Sequence, residues 1–548
     1  MTADHDPHGP GPTGVVWECA VRLRLLTDSH VGAARAGTGQ VAESDVDLRL
    51  DRDPRGGAPR LRATTLAGLL RHELLARTAD PEGAAALLGS GDAPGAGARS
   101  SALDLDDAYA ALPGGGAVSV RVGTRVDPAT GSVHPGRMWQ WEVLPAGTEF
   151  TAHLRLRAAD PAEEARLLTL LALAARGLAD EGPGIRIGGR TGRGLGAVRA
   201  TRWAVRRHDL TDEEGWFSYH ARDWPTRWRE ADRALDAADP DADLVGGLRA
   251  ELNGHGQWAT AALLSEAVVV DRRRRAELRL ELHVAERLDP VPSGRDPRPA
   301  TLLIADTPTD TLAGERTTPA DRVHRRRPAV TGDGEATPLP VLGDTALFAL
   351  FKRIGERLVR DAAEHLSGEG TRWPEWHAHW WGGDTGRWPD SRPAPSRIRL
   401  RATPTLTGGA PVTTTRLTVD SLFGDAVDGH LFTTELHSGG SAPVVLDVTA
   451  PDDAVLGLLA LVVRELATVP LDTLGAGAGS GSGRLVATRA VLATHEGDGS
   501  PPHEVDLVRA LTEPDGPDAA TARGWLPELH RQITRAPEPG PDDEGDPS

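Results

Sequence analysis

The 548-residue chain has one cysteine, Cys19, and one lysine, Lys352. A lone cysteine excludes an internal disulfide and a cysteine-based zinc site. Cys19 lies in the apolar run "VVWECAVRLRLL", which predicts that it is buried. With a single lysine, arginine carries nearly all the positive charge, so one arginine says little about a phosphate site. Tyrosine is scarce as well, with 2 residues, too few for an aromatic cage. No apolar run is long enough to span a bilayer and no secretory signal is evident. The expectation is a cytoplasmic protein without a membrane partner. Positive charge is also in deficit. The formal net charge of −18 argues against a protein that coats nucleic acid generically, though a local basic groove remains open. Part of the acidity sits in the tail "EPGPDDEGDPS", which reads as solvated and disordered.

What is present is a repeat. "EARLLTLLALAARGLAD" and "DAVLGLLALVVRELATV" align without a gap from Leu168/Leu456 to Ala179/Ala467. A Gly-rich loop and a strand-like segment follow each. Upstream, "TEFTAHLRLRAADPAEE" pairs with "APVVLDVTAPDDA", and two long hairpins precede these strands. Pro59 to Leu66 and Pro340 to Leu347 share one spacing. Corresponding segments in one order predict two tandem copies of one domain. Strand–helix–strand units interrupted by a hairpin point to an α+β, ferredoxin-like (RRM-like) fold with insertions. The predicted boundaries are 1–209 for domain 1, 210–275 for a helical connector with its own aromatic packing, 276–495 for domain 2, and 496–548 for a C-terminal helix and acidic disordered tail.

The loop of the first copy, "IRIGGRTGRGLGAV", invites a nucleotide reading that its context refuses. A P-loop needs a lysine, and a dinucleotide fold places its glycines after a strand and before a helix. Here they follow a helix and open a strand, so no nucleotide cofactor is expected. Two readings remain. Glycines let backbone N–H groups approach an anion while Arg190 and Arg193 add charge, or the loop is a close-packed turn.

The segment order, together with "LLTDSHVGAARAGTG", "DVDLRLDRDPRGGAPRLRATTLAGLLRHEL" and "IGGRTGRGLGAV", resembles the RAMP superfamily, and more narrowly the backbone subunits of type III CRISPR effector complexes. His30-Val31-Gly32 matches the family's turn after strand one. Asp47, Asp53-Pro54, Pro59 and Thr64-Thr65-Leu66 match the run that follows. "LLGSGDAPGAGARSSALDLDDA" matches a "LFG…SxLxxxDA" segment, and Arg125-Val126-Asp127 with Thr130-Gly131 matches the hairpin. The resemblance implies a cytoplasmic antiviral-defense subunit whose palms grip a CRISPR guide RNA and whose hairpins act as thumbs that displace a nucleotide. Other implied partners are target RNA, a large polymerase-like subunit, small subunits and other RAMP subunits.

It also implies target cleavage by a loop aspartate, with a divalent metal such as Mg or Mn. RNA carries its own 2′-OH nucleophile, so a carboxylate beside a positioned backbone can suffice. By motif the residue is Asp47, with Asp45, Asp51 and Asp53 nearby; equally, these acids form a solvated loop. In the second copy Asp321 is the nearest counterpart, and Asp306 and Asp310 compete. The implied RNA-binding set is His30, Gly188, Gly189, Arg190, Thr191, Arg193, Gly194, Arg125, Arg325, Arg326 and Arg484. Two other functions stay open: a non-catalytic RNA-binding scaffold of the same complex, and an endoribonuclease that processes guide precursor, for which His30 would be the general acid–base group. The dense tryptophans from Trp373 to Trp388 suit packing better than base stacking. His377 and His379 lack a third ligand for a metal.

Overall fold

The computed structural model describes residues 13–32, 46–90, 99–126, 133–179, 182–240, 243–267, 271–286, 298–308, 320–330, 336–367, 372–383, 395–468 and 470–534. The first strand, β1 (Val15–Leu25), alternates. Val15, Trp17, Cys19, Val21, Leu23 and Leu25 enter a core, while Glu18, Arg22 and Arg24 face the other way. Period-2 patterning of this kind builds a sheet with one packed face. After it come β2 (Arg60–Leu61), α1 (Ala63–Thr78), α2 (Pro81–Leu88), β3 (Leu103–Leu105), β4 (Ala108–Ala111), the hairpin β5 (Ser119–Val126) and β6 (Val133–Val143), β7 (Glu149–Ala158), α3 (Pro161–Ala175) and β8 (Val198–Asp209). The sheet runs β2-β4-β7-β1-β8, with β3 also paired to β7. α3 starts where Asp160 accepts the N–H groups of Ala162 and Glu163 and Pro161 opens the first turn. Cys19 is buried in this core, as its surroundings predict.

Four helices follow: α4 (Glu213–His220), α5 (Trp224–Ala237), α6 (Leu244–Gly254) and α7 (Trp258–Ala267). They carry aromatic pairs, among them Trp224 on Trp228. They do not form a separate core. Leu244, Leu248, Leu252 and Leu264 of α6 and α7 join the first core. α5 lies across the opposite, polar face of the sheet. There Trp228 stacks on His153 at 5.1 Å, Asp232 pairs with His153 at 3.0 Å, and Asp236 pairs with Arg22 at 2.9 Å.

The second half contains β9 (Arg275–Val284), β10 (Thr301–Leu302), β11 (Ala305–Asp306), β12 (Arg322–His324), β13 (Arg326–Val330), β14 (Ala336–Pro340), α8 (Asp344–Ala362) and α9 (Trp373–Trp381). It continues with β15 (Ile398–Leu400), the hairpin β16 (Ala410–Val419) and β17 (Ala426–Ser438), β18 (Ser441–Thr449), α10 (Asp453–Thr468), β19 (Leu485–His495), β20 (His503–Asp506), α11 (Leu507–Thr512) and α12 (Pro517–Ile533). Its sheet runs β15-β18-β9-β19-β20. In both halves the first strand is central, with β8 or β19 on one side and the strand after the hairpin, β7 or β18, on the other. The molecule is thus a mixed α+β protein. Trp376, Trp380 and Trp381 are buried in the second core, so the described part of the tryptophan-rich segment is packing. Trp388 and the acidic tail lie outside the described residues.

The halves meet along one seam. Leu400 of β15 donates its N–H to Gly192 O at 2.9 Å, and Arg193 bridges Leu400 in parallel. Beside it, Arg121 of β5 reaches Asp28 at 2.5 Å and Asp344, the first residue of α8, at 2.6 Å. All three side chains are at most 8% exposed. Burial disfavours the Arg121 charge, but the two carboxylates outweigh it and its pKa is raised. Burial likewise opposes the Asp344 charge, and Arg121 overcomes it to hold that carboxyl below the usual range. Removing one partner of such a group strands buried charge. Arg121→Ala is expected to lower unfolding free energy by about 3–5 kcal/mol, read by chemical denaturation. An unchanged midpoint would show that the seam does not depend on this bridge.

Candidate RNA interface at the base of the hairpins

Asp47 lies at the foot of the first hairpin. Its N–H donates to Gln140 O at 3.0 Å, and its Oδ2 accepts the Gln140 N–H at 2.7 Å. Asp321 does the same to the second hairpin: its N–H meets Thr433 O at 2.7 Å, and its Oδ2 accepts the Thr433 N–H at 2.9 Å. Each aspartate therefore clips its loop to the returning strand of a hairpin. The alternative acids are bound elsewhere. Asp51 is buried against Arg62 at 2.5 Å and Arg60 at 3.3 Å. Its carboxyl is held low chiefly by the Arg62 hydrogen bond, against burial. Asp53 caps a turn through the Arg55 and Gly56 N–H groups, and Asp306 pairs with Arg325 and Arg327. Asp45 and Asp310 lie outside the described residues.

The Gly-rich loops also match bond for bond. Ile187 N–H meets Gly196 O at 2.8 Å, and Leu474 N–H meets Gly483 O at 2.7 Å. Gly189 N–H meets His30 O at 2.8 Å, and Ala476 N–H meets Leu303 O at 2.9 Å. A Cβ on Gly188 or Gly475 would fall 2.3 Å from those same carbonyl oxygens, so both positions require glycine. The register sets Arg190 against Gly477 and Arg193 against Ser480. Arg190 has φ +59°, a left-handed conformation that glycine adopts more readily. Its guanidinium stands 4.4 Å from the Trp141 ring and 5.4 Å from Trp139, close enough for cation–π attraction. Burial lowers its pKa, with Arg193 adding to the effect.

The first loop thus serves two masters. Gly189, Arg190 and Thr191 face the hairpin base, whereas Gly192, Arg193 and Gly194 run along the second half. A Cβ on Gly194 would lie 2.8 Å from Ala402 C. The Arg193 side chain remains exposed. His30 donates Nδ1–H to Glu142 O at 2.7 Å and stands edge-on to Trp141; its counterpart by bonding is the buried Leu303. Arg325 is occupied by Asp306 and Ala305 O, while Arg326 and Arg484 are exposed. Arg125 lies on β5 with its side chain outside the described residues, as are Thr130 and Gly131.

Four residues at this base escaped sequence reasoning: Arg121, Trp139, Trp141 and Glu142. Glu142 accepts the Leu50 N–H at 2.9 Å and holds Arg52 at 3.0 Å. The alternation in "MWQWEV" puts both tryptophans on one face of β6 and was the available signal. His377 is buried with Nε2 3.1 Å from Lys352 O, and His379 meets Arg397, so neither is a ligand pair. Among the described residues no group of three His, Cys, Asp or Glu side chains is arranged to hold a metal ion. The described residues at Asp47 and Asp321 therefore do not fit a divalent ion on their own.

Residues 22–199 match the RAMP superfamily. No curated protein matches the chain. The RAMP match runs from the end of β1 to the start of β8, and takes in His30, Asp47, the first hairpin and the Arg-bearing loop. Among the described residues no helix is long and apolar enough to cross a membrane.

At the second hairpin His324 is buried. Its Nδ1 accepts the Ile304 N–H at 3.3 Å and its Nε2 donates to Val341 O at 3.1 Å. Burial, with His437 beside it, pulls the imidazole down to about 4. The folded state keeps this group neutral, while the unfolded chain protonates near the ordinary histidine value. Its stabilisation is complete above about pH 6.5 and is lost as pH falls toward 4, on the order of 3 kcal/mol. His324→Gln is expected to be less stable at pH 7.5 and to flatten this dependence in denaturation curves between those limits. An unchanged slope would show that other groups carry it.

Proposed function

We propose that the chain is two ferredoxin-like RAMP copies in tandem, with the boundaries predicted from sequence, forming a guide-RNA-binding backbone subunit of a type III CRISPR effector complex. The RAMP match over the first half and the recurrence of its strand order, aspartate clip and loop bonding in the second half support this reading. The observation that carries it is the convergence at each hairpin foot of an aspartate, a Gly-rich loop and a strand that leads to an exposed hairpin. In the first copy, Arg190 and Arg193 supply charge for guide phosphates. In the second, Arg326 and Arg484 take that part.

The proposal includes cleavage of the target. A hairpin that displaces one nucleotide leaves its 2′-OH and the next phosphate free to align for in-line attack. Asp47 and Asp321 stand at the hairpin feet, and a carboxylate there can accept the 2′-OH proton. The RNA supplies both nucleophile and leaving group. One observation favours a second reading, a non-catalytic scaffold: both carboxylates already hold a hairpin N–H.

Asparagine separates the two. Asp47→Asn keeps an oxygen for the Gln140 N–H but loses the base, whereas Asp47→Ala loses both. With guide and matching target assembled into the complex, both substitutions are expected to abolish one cut by at least about 100-fold, the usual scale of a lost general base. The Asp321 pair is expected to abolish another. Wild-type cutting by Asn variants would make the aspartates structural, and no cutting by the unaltered protein would make it a scaffold. Cutting of free guide precursor that His30→Ala abolishes would favour processing.

Arg190→Ala with Arg193→Ala is expected to weaken guide binding and reduce the slope of log affinity against log salt by up to about 2, the number of charges removed. An unchanged slope would make the first loop purely a structural joint.

A further inference from the structure

The joint between the halves is head-to-tail: the Gly-rich loop and hairpin base of the first meet the sheet edge and helix start of the second. Such a heterologous contact can be repeated indefinitely unless something stops it. Equivalent positions show what does. Glu18 pairs in register with Arg155 on the first sheet, and Glu277 with Asp447 on the second. On the second sheet, Arg186 of the first half lies in the field of Asp447, Arg399 and Arg401. On the first sheet, Trp224 of α5 occupies the matching place, 3.7 Å from the Arg155 guanidinium. α5 is held there by further pairs, Arg227 with Glu18 at 3.4 Å and Glu230 with Arg206 at 3.5 Å. The docking face of the first half is therefore covered by the chain itself.

The opposite end is open to solvent, touched at Ser480 Oγ by the Arg416 guanidinium of its own hairpin at 2.9 Å. A Cβ on Gly192 would meet Arg399 at 3.9 Å and one on Gly194 would meet Ala402 at 2.8 Å, but one on their counterparts Gly479 and Gly481 would meet nothing within 4 Å. Residues 475–481 are exposed. The ionic bridge of the seam is not repeated either. Thr414, opposite Thr434, holds the position that Arg121 holds opposite Trp141. Ala63 opens α1 as Asp344 opens α8.

We infer that this chain is the end unit of a head-to-tail row of such domains, sealed at the first sheet by α5 and extendable only at the Gly475–Gly483 loop, where it takes a different protein presenting an uncovered sheet edge. The small Gly, Ala and Ser residues of that loop, with Arg416 beside Ser480, leave its backbone open to pairing of the kind Leu400 makes with Gly192. This inference rests on the equivalence of the two halves and not on RNA binding.

The test is directional cross-linking without RNA. One chain carries Thr414→Arg, to restore the bridging arginine, and Ser480→Cys. The other carries Ala63→Asp and Asp104→Cys, with α5 loosened by Glu230→Arg and Asp236→Arg; Asp104 holds the register position of Arg399. The only native cysteine, Cys19, is buried. A bismaleimide is expected to give a product of twice the chain mass from this mixture, and none when α5 is left intact. Loosening α5 by Trp224→Ala with Trp228→Ala must give the same product. Equal cross-linking with α5 intact would overturn the seal. No product from either loosened chain, with circular dichroism melts showing both partners folded, would overturn the loop as the growing end. Loss of RNA binding would leave all these results unchanged.

Discussion

The Arg121 guanidinium is the constraint on which the molecule's geometry turns. It starts on the outgoing strand of the first hairpin, meets Asp28 just past the central strand of its own sheet, and meets Asp344 at the start of a helix in the other half. Two carboxylates on one buried guanidinium leave a net negative site, which Arg327 nearby helps to balance. Buried charge of this kind tolerates little displacement, because each lost contact leaves a desolvated ion. One side chain therefore fixes the hairpin base to its sheet and one half to the other. Asp344 also sits at a helix N-terminus, where backbone N–H groups favour a negative charge.

The consequence for function is spacing. On the proposed reading, domains in a row act on RNA at intervals set by the distance between neighbours, so a rigid joint would fix where successive hairpins meet the duplex. The first Gly-rich loop belongs both to the interface and to the joint. Its first residues face Trp139 and Trp141, and its last pair with β15. This explains why its arginines are unequal in exposure: Arg190 is stacked and partly buried, while Arg193 projects from the seam. In the second half the same nine-residue frame carries neither arginine, and Arg416 of the second hairpin reaches it at Ser480 instead.

Much of this was legible in the sequence. The order of elements and the central strands followed from alternation in "VVWECAVRLRL" and "RAELRLELHV" and from helices started by Asp-Pro. The counterpart of Asp47 was harder, because the second copy inserts residues between β9 and β10 and again before Asp321. Only hydrogen bonding to Gln140 and Thr433 puts the two aspartates in the same position. His30 illustrates the limit differently. Its spacing suggested a motif, but its partner by bonding is Leu303, so the position asks for a backbone carbonyl that receives a loop N–H. In the first half the side chain adds its own bond, from Nδ1–H to Glu142 O.

The seam itself was invisible in the sequence for a physical reason. Asp28, Arg121 and Asp344 are far apart in the chain, and in an arginine-rich protein none announces itself. Their meeting depends on how two finished domains dock, which local patterns do not encode. The connector shows the same limit. Its helices were predictable from their caps, at Asp212, Asp223 and Asp243, but their destination was not. α5 sets Trp224, Trp228, Ala231 and Leu235 on one face at helical spacing, and Leu235 is buried there. Trp224 on Arg155 and Trp228 on His153 hold it by stacking, and the ion pairs at its flanks set its direction. A sheet face that binds its own connector in this way is removed from further assembly, which ties the asymmetry of the chain to its sequence: two similar halves, and one connector that only the first can wear.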